Sequence, residues 1–302
     1  MQTETITYNG WEDCVRLTNG EIELIVTTQI GPRIIHCGFC GGKNLFATMQ
    51  DELGGRGEPD FRLRGGHRFW IAPEDMTLTY EPDNIPVAVA LGSDGVHLRQ
   101  DVGPISGCQK EISITMDADS NQVRILHRIT NCGQESRRLA PWALSVMAPG
   151  GVAVIPLPQK IPHTEAWLHN QLWTVWPYTN FADGRWTIGE RFILFRQDTT
   201  KGPGKVGLLH DEGWVAYQLG TDLFVKRFGC DKTAAYPDGG VNFETFSNEQ
   251  FLELESLGGL VELAPGQSVE HPESWELYAG TQPVTDEQSA AALPPARKNQ
   301  AY

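Results

Sequence analysis

The sequence predicts an all-β protein, a large sandwich or barrel of antiparallel strands, and two observations carry this prediction. Short runs that alternate apolar and polar residues recur about every ten residues, with turn residues between them. No stretch sustains a helical period of 3.6, which is typical of a strand-only fold rather than of alternating strands and helices. Helix is therefore expected only in short turns, for example near residues 167–172.

The first strands show the pattern most clearly. Residues 14–17 and 21–26 flank Asn19-Gly20, and an Asn-Gly pair between two such runs is a strong hairpin signal. Two more strands are expected at residues 31–36 and 43–46. The long, glycine-rich segment 51–66 that follows is predicted to be a loop that forms a lid or rim over a site.

Strand patterns continue almost to the end of the chain. They cover residues 87–91, 95–98, 108–116, 123–130, 151–156, 192–195, 206–209, 213–219, 223–228, 240–246, 251–257 and 274–278. No linker rich in Pro, Ser or charge divides them, so we expect one domain over residues 1–280. Residues 281–302 are expected to form a C-terminal tail that is docked on the surface or disordered.

Composition restricts the class of partner. The 302 residues carry 24 Lys and Arg against 38 Asp and Glu, a net charge of −14, which disfavours nucleic acid and anionic membranes. No apolar run approaches the about 18 residues needed to span a bilayer. Residues 1–5 lack the basic and apolar parts of a signal peptide, so the sequence predicts a cytoplasmic protein that binds a small neutral molecule.

The sequence contains no complete motif for a cofactor or a metal. The six cysteines are scattered, and the single Cys37-Gly38-Phe39-Cys40 pair has no second pair with which to form a zinc site. The dinucleotide, phosphate-loop, serine-hydrolase and HExxH zinc motifs do not occur. We therefore expect free thiols, no cofactor and no metal.

The segment from Arg64 to Asp75 concentrates more chemically capable side chains than any other. Alternation in a short strand would place His67 on one face, and Arg68 with Trp70 on the other. The pattern leaves open which set faces a cleft and which lies beneath it. Glu74, just beyond Pro73, is a further candidate ligand-binding residue.

Acidic residues late in the chain form a second candidate group. Alternation places Asn242 with Glu244 on one strand face, and Glu253 with Glu255 on another. Such acids are either ordinary solvated residues or acceptors for sugar hydroxyls and general bases. Lys226 and Asp238 are additional candidates from the same half of the chain.

Tryptophan is used heavily, with nine in the chain. One loop-like region contains Trp167, Trp173, Trp176 and Trp186. These rings are expected either to form a rim that stacks on a ligand or to cap an open end of the sandwich.

Residues 65–74, together with residues 139–151, are similar to an uncharacterised bacterial family within the galactose-mutarotase-like superfamily, which contains the aldose 1-epimerases. The resemblance spans roughly residues 10–280 and implies a large antiparallel β-supersandwich that acts on the anomeric centre of a sugar. It implies that His67 is the early histidine of that superfamily. Residues 240–244, followed by 263–266, resemble the strand with the late glutamate, a role for which Glu244 and Glu255 compete. The departure is Trp142, which stands where epimerases carry their central histidine.

These observations predict a carbohydrate-binding protein. Trp70 and Trp142 would stack on the sugar, while Arg68, Glu74 and Lys226 would hold hydroxyls or a carboxylate. If the protein is an enzyme, Glu244 or Glu255 would be the base and His67 the acid of an epimerase acting on a free sugar or sugar acid. The alternatives are a non-catalytic carbohydrate-binding or sensor protein, and a lyase or glycosidase on the same scaffold. The oligomeric state stays open.

Overall fold

Two large antiparallel β-sheets, packed face to face, make up the computed structural model, which describes residues 1–294. The all-β prediction is confirmed. In chain order the strands are β1 (Gln2–Tyr8), β2 (Trp11–Thr18), β3 (Ile22–Thr27), β4 (Arg33–Phe39), β5 (Gly66–Ala72), β6 (Ala88–Leu91), β7 (Gly95–Arg99), β8 (Cys108–Met116), β9 (Gln122–Asn131), β10 (Arg137–Met147), β11 (Val152–Pro156), β12 (Trp173–Val175), β13 (Trp186–Ile188), β14 (Phe192–Arg196), β15 (Gly204–Leu208), β16 (Trp214–Leu219), β17 (Asp222–Phe228), β18 (Phe243–Ser247), β19 (Leu252–Leu257), β20 (Val261–Leu263) and β21 (Ser268–Tyr278).

Strands from distant parts of the chain meet in each sheet. The first sheet has the order β1-β2-β3-β4-β5-β10-β19-β18-β15-β12, with β20 paired to β10. The second has the order β13-β14-β11-β16-β17-β21-β9-β8-β7-β6. The early strand β5 and the late strand β19 therefore both border β10, which brings residues 66–72 and 252–257 together.

The two sheets enclose the main apolar core. Strands β8 and β9 of the second sheet alternate strictly between buried and more exposed residues, as expected when only one face is covered. Every residue of β5 and of β19 is buried, so the middle of the first sheet is covered on both faces. We call the face of the first sheet that points away from the second sheet its outer face.

The segment between β4 and β5 helps to cover that outer face. Phe61 contacts the Trp70 ring edge to face, with ring centroids 5.5 Å apart. Leu63 packs against a small cluster that includes Val146 and Phe251. The loop predicted at residues 51–66 thus borders the outer face near β5.

Helix is confined to two short segments among residues 1–294, a 3-10 turn at Gln50–Glu52 and helix α1 at Glu287–Ala291. The helical turn expected near residues 167–172 is wrong, because this segment is irregular and largely exposed. Neither helical segment is long and apolar enough to cross a membrane.

The chain after β21 packs on the second sheet. Asp286 caps α1 by accepting from the Ser289 backbone. Val284, Ala290 and Leu293 then bury against strands β11, β14, β16 and β17. The predicted tail is thus docked over residues 281–294, and its remainder, 295–302, lies outside the described residues.

Candidate functional site

The strand register places the predicted acids and Arg68 in one row on the outer face. Arg68 of β5 pairs with Leu144 of β10, Leu144 pairs with Glu255 of β19, and Glu255 pairs with Glu244 of β18. Because directly opposed residues in a sheet point to the same side, all four side chains share that face. Glu253, two residues before Glu255, lies on it as well.

Lys205 of β15 joins the two glutamates of this row. Its ammonium Nζ lies 2.6 Å from Glu244 Oε2 and 3.1 Å from Glu255 Oε2. Both carboxylates are fully buried, and Lys205 is only 6% exposed. Burial alone would lower the pKa of Lys205, but the negative charges of Glu255 and Glu244 have a larger effect and raise it. Lys205 is therefore protonated at neutral pH. We refer to Lys205, Glu244, Glu255 and the neighbouring Asp238 as the lysine cluster.

Asp238 enters the lysine cluster from the turn before β18. Its backbone is in the left-handed region, with φ 50°, and Thr174 donates a 2.8 Å hydrogen bond to its carbonyl oxygen. Burial raises the pKa of Asp238. Burial also raises the pKa of Glu244 well above its usual range, and the charges of Glu255 and Asp238 raise it further while Lys205 opposes them. With three carboxyl groups around one ammonium, the cluster favours keeping a proton on one of them.

A second ion pair lies beside the cluster on the same face. Arg68 Nη2 donates to Glu253 Oε1 at 2.8 Å, and its guanidinium carbon lies 4.3 Å from the centre of the Trp70 ring. Both side chains of the ion pair are more than nine-tenths buried. Burial raises the pKa of Glu253, an effect that the Arg68 charge opposes.

Aromatic rings line the cluster. Trp142 Nε1 donates to Glu255 Oε2 at 2.9 Å, and the Trp142 ring contacts the Trp70 ring with centroids 5.3 Å apart. The Lys205 ammonium lies 4.9 Å from the Trp142 ring and 4.7 Å from the half-buried ring of Trp176, both within cation–π distance. Of the four tryptophans predicted to form a rim, Trp176 is the one that contacts the cluster. Trp186 stacks on Phe195 in the core, and Trp167 is exposed.

Several buried polar atoms on this face have no hydrogen-bond partner within residues 1–294. They comprise donors at one end and acceptors at the other: Arg68 Nε and Nη1, Glu244 Oε1, Glu255 Oε1 and Asp238 Oδ2. Because buried polar groups in proteins are almost always paired, these atoms are available to water or to a polar ligand. Sugar hydroxyls, which both donate and accept, match such a set.

The structure corrects the expectation that His67 shares a cleft with the late acids. Ser145 and His67 oppose each other in the register and point between the sheets, away from Glu244. There His67 Nδ1 is 2.9 Å from Ser145 Oγ, and His67 Nε2 is 2.8 Å from His127 Nε2 of the second sheet. Of the two sets left open by the sequence, Arg68 with Trp70 lies on the outer face and His67 lies beneath.

The structure also contradicts the prediction that Lys226 lies in the ligand-binding site. It is fully buried between the sheets, where its ammonium pairs with Glu273 at 2.8 Å. Burial would raise the pKa of Glu273, but Lys226 and the nearby histidines lower it. We call His67, His127, Lys226 and Glu273 the inter-sheet cluster. It connects the two layers of the core and does not reach the outer face.

Asn242 differs from the role predicted for it, and the role of Glu74 stays a prediction. Asn242 is fully buried, and its amide bonds to the backbone N–H and C=O of His210, so it fastens the chain before β18. Glu74 is exposed and accepts a hydrogen bond from Tyr80, whose ring packs 5.0 Å from that of Trp70. Glu74 also lines a cavity of about 440 Å³ at the ends of β5 and β10, which does not include the lysine cluster.

One group of donors has the spacing of a metal site. In residues 1–294, His67, His127 and Glu273 form the one set of three His, Cys, Asp or Glu whose ligand atoms all lie within 4.8 Å of one another. The two imidazole nitrogens already bond to each other, and Glu273 pairs with Lys226 and accepts from Trp275. A cation would have to displace Lys226 from a position that solvent does not reach, so we assign no metal to this group.

Lys205 and Tyr80 contribute to the outer face without having been predicted from the sequence. Lys205 lies in β15, just before the strand pattern predicted at residues 206–209, and a charged residue beside an apolar and glycine-rich pattern was the available signal. Tyr80 comes from the irregular segment after β5, where no periodic pattern indicates direction. Sequence order alone gave no indication that β15 lies beside β18.

Comparison with known proteins places the fold. No protein-family model and no curated protein matches the chain. Among solved structures, a galactose mutarotase-like protein from Lactobacillus casei is 11% identical, with a TM-score of 0.55, over 88% of this chain and 100% of that one. A galactose mutarotase related enzyme from Lactobacillus acidophilus is 9% identical, with a TM-score of 0.52, over 90% and 99%. The Slr1438 protein from Synechocystis is 11% identical, with a TM-score of 0.58, over 91% and 99%.

At these identities the likeness establishes the fold alone. The chain has the galactose mutarotase-like β-sandwich, as the resemblance implied. Membership of the narrower bacterial family stays a prediction. Any action of this chain on a sugar depends on its own residues on the outer face and not on the fold.

Proposed function

We propose that this protein binds a reducing sugar on the outer face of the first sheet and exchanges its anomers by proton transfer. The observation that carries the proposal is the lysine cluster: two buried glutamates, opposed in the register, that share one ammonium and are bordered by Trp142 and Trp176. Carboxyl pairs in such surroundings serve as acid and base. The fold it shares with galactose mutarotase-like proteins supports a carbohydrate ligand.

The chemistry follows from the two environments of the glutamates. Glu255 accepts from Trp142 and Lys205, donors that suit a carboxylate, and takes the proton of the anomeric hydroxyl. Glu244, whose pKa is raised, donates its proton to the ring oxygen. The bond between the anomeric carbon and the ring oxygen then breaks and an aldehyde forms. After rotation about the adjacent carbon–carbon bond, the ring hydroxyl attacks the carbonyl, and both protons return.

This arrangement accounts for the absence of a histidine at position 142. An indole cannot exchange protons with a ring oxygen at neutral pH. In this chain the Trp142 indole holds Glu255 instead, and the proton shared among the carboxyl groups of the cluster takes the part of the acid. His67 has no role in the step because it lies between the sheets.

A second candidate is sugar binding without catalysis. It is favoured by one observation: the same lysine holds both glutamates, and a fixed ion pair limits the freedom of a carboxylate to move a proton. Arg68, Glu253 and Trp70 would contribute to binding in either case. The two candidate functions share a ligand class. They differ in whether the bound sugar exchanges its anomers faster than it does in solution.

Exchange spectroscopy by NMR on a panel of aldohexoses separates the candidates. The wild type is expected to accelerate anomer exchange, and Glu244→Gln to lose about a hundredfold or more of that acceleration. Glu249→Gln, in the exposed turn between β18 and β19, is the matched control and should retain it. Binding without acceleration would leave the second candidate, and neither binding nor acceleration would refute both.

A further inference from the structure

The cavity of about 440 Å³ lies where strand β10 extends beyond its neighbour β5. The pairing of the two strands stops at Ala140 opposite Ala72, because Pro73 follows and has no N–H to donate. Strand β10 begins earlier, at Arg137, and pairs there with β20 on its other side. The side of residues 137–139 that faces β5 is thus left open, and the cavity occupies it.

The inner wall of the cavity is apolar. Ile71 and Leu139 of the first sheet and Cys108 of the second line it, and all three belong to the main core. Burial raises the pKa of the Cys108 thiol, which therefore stays neutral and behaves as a small apolar group. Ser106 also lines the wall, but its hydroxyl already donates to Glu81 at 2.6 Å and accepts from the Cys108 backbone at 3.1 Å. A ligand must therefore present an apolar body to this wall.

Two acids and two arginines border the cavity, and only the acids have partners. Glu74 accepts a hydrogen bond from Tyr80. Asp75 accepts two from backbone N–H groups of its own turn, each at 2.8 Å. Neither the Arg137 nor the Arg138 side chain forms a hydrogen bond or an ion pair with any of residues 1–294. Each guanidinium offers five N–H donors, so the cavity has unused donors that carry positive charge.

Arg137 is the better placed of the two arginines. It is half-buried, whereas Arg138 is exposed and stands opposite Glu262 in the register with β20. Arg137 Nη2 lies 3.7 Å from the position that a Cβ atom of Gly107 would take. The guanidinium therefore reaches from the first sheet to the chain that leads into β8, beside the buried Cys108.

An apolar molecule with one anionic group matches this arrangement. A neutral apolar molecule would leave Arg137 without a partner, and an ammonium would lie beside its positive charge. A sugar would lose hydrogen bonds to water where its hydroxyls met the apolar wall. A carboxylate can accept two N–H groups of one guanidinium while hydrocarbon covers the wall. The volume also falls within the range of about 300–1,000 Å³ of small-molecule pockets.

We propose that this cavity is a second binding site, separate from the lysine cluster, for a small monocarboxylic acid with an apolar body. Its carboxylate pairs with Arg137, and its hydrocarbon part packs on Ile71, Leu139 and Cys108. The charges of Glu74 and Asp75 on the β5 side disfavour a second negative group on the ligand. The site requires no sugar, so it goes beyond the proposed function and does not depend on it.

Isothermal titration calorimetry at pH 7 with octanoate, 1-octanol and octylamine tests the inference. The three probes share an eight-carbon chain and differ only in the charge of the head group. Octanoate is expected to bind roughly tenfold or more tightly than 1-octanol, because a hydrogen bond to a charged group contributes about that much. Octylamine is expected to bind most weakly.

Three variants locate the effect. Arg137→Gln keeps a polar side chain and should remove the preference for octanoate over 1-octanol. Arg124→Gln, which changes an exposed arginine of β9, is the matched control and should keep that preference. Ser136→Trp, at an exposed residue that lines the cavity, should weaken octanoate and 1-octanol alike because the indole fills the opening. Urea unfolding checks that each variant is folded.

The outcomes of the wild-type titrations decide the inference even if a variant fails to fold. Equal binding of octanoate and 1-octanol, or tighter binding of octylamine, would overturn it. Absence of binding by all three probes would overturn it as well. An equal loss in Arg124→Gln and Arg137→Gln would mean that octanoate responds to overall charge, which also contradicts a site at Arg137.

Discussion

The two buried lysines on opposite sides of the first sheet offer a matched test of the site assignment. Lys226 lies between the sheets and Lys205 on the outer face. Lys226→Met is expected to lower stability and leave sugar affinity unchanged. Lys205→Met is expected to abolish sugar binding, because it leaves Glu244 and Glu255 without their cation.

The loss of stability expected for Lys226→Met follows from the contacts of the Lys226 ammonium. Its ammonium bonds to Glu273 at 2.8 Å, to the Ala143 carbonyl at 2.9 Å and to the Leu254 carbonyl at 3.1 Å. Removing one partner of a buried ion pair costs about 3–5 kcal/mol of the free energy of unfolding, since the other charge stays buried and unpaired. With a urea m-value of about 3 kcal/mol/M, the unfolding midpoint should fall by about 1–1.7 M.

The pH dependence of this loss has a definite sign. In the wild type the pKa of Glu273 is lowered, so its contribution is present above the ordinary glutamate pKa and is lost only as pH falls through the lower, folded value. Without Lys226, burial is expected to raise the pKa of Glu273. As pH falls from neutral, protonation of Glu273 then removes the cost of its buried, unpaired charge. The difference in stability between Lys226→Met and wild type should therefore be largest at neutral pH and smaller at pH 5.

Urea unfolding followed by tryptophan fluorescence at both pH values provides the measurement. The double variant Lys226→Met/Glu273→Gln, in which no charge is stranded, should cost less than Lys226→Met alone. A loss below about 1 kcal/mol for Lys226→Met, or a double variant that costs the sum of the singles, would refute the reasoning. So would a loss of sugar binding in Lys226→Met that matches that of Lys205→Met.

Two further predictions concern the turn before β5 and the acid of the proposed reaction. Gly65 has φ 89°, and a Cβ atom there would lie 2.0 Å from the Ala47 carbonyl oxygen, so Gly65→Ala should lower the free energy of unfolding by more than about 1 kcal/mol. Gly41→Ala, with φ 70° and no atom within 4 Å of the added Cβ, carries only the backbone cost, and an equal loss in both variants would contradict the clash. The rate of anomer exchange should fall as pH rises through the raised pKa of Glu244, because the acid then loses its proton. A rate that stays flat across the pH range in which glutamate and histidine titrate would contradict the assignment of Glu244 as acid.

The fold could be predicted from the sequence because the strand alternation is strong and the helical signal is weak. The same two-residue period correctly grouped Glu253 with Glu255 and separated His67 from Arg68. It did not determine which set of β5 faces inward, because each set mixes polar and apolar residues. Only the partners of His67 across the gap, which come from the second sheet, decide that direction.

The lysine cluster could not be predicted as a whole because its members come from three separate places in the chain. Glu244 and Glu255 meet across one hairpin, which local pattern can indicate. Lys205 arrives from β15, and the pairing of β15 with β18 depends on the packing of the whole sheet. The sequence predicts Lys226 as a ligand-binding residue, but its partner Glu273 lies 47 positions away in β21 and pairs with it in the core.

The indole N–H signals of the nine tryptophans provide the most direct measurement of where a sugar binds. Trp142 donates its N–H to Glu255 on the outer face, and Trp275 donates its own to Glu273 in the inter-sheet cluster, both at 2.9 Å. In a ¹⁵N-labelled sample titrated with glucose, with signals assigned by single Trp→Phe variants, we expect the signals of Trp142 and Trp176 to shift. The signal of Trp275 should stay in place. A shift of Trp275 with Trp142 unchanged would contradict the outer-face site.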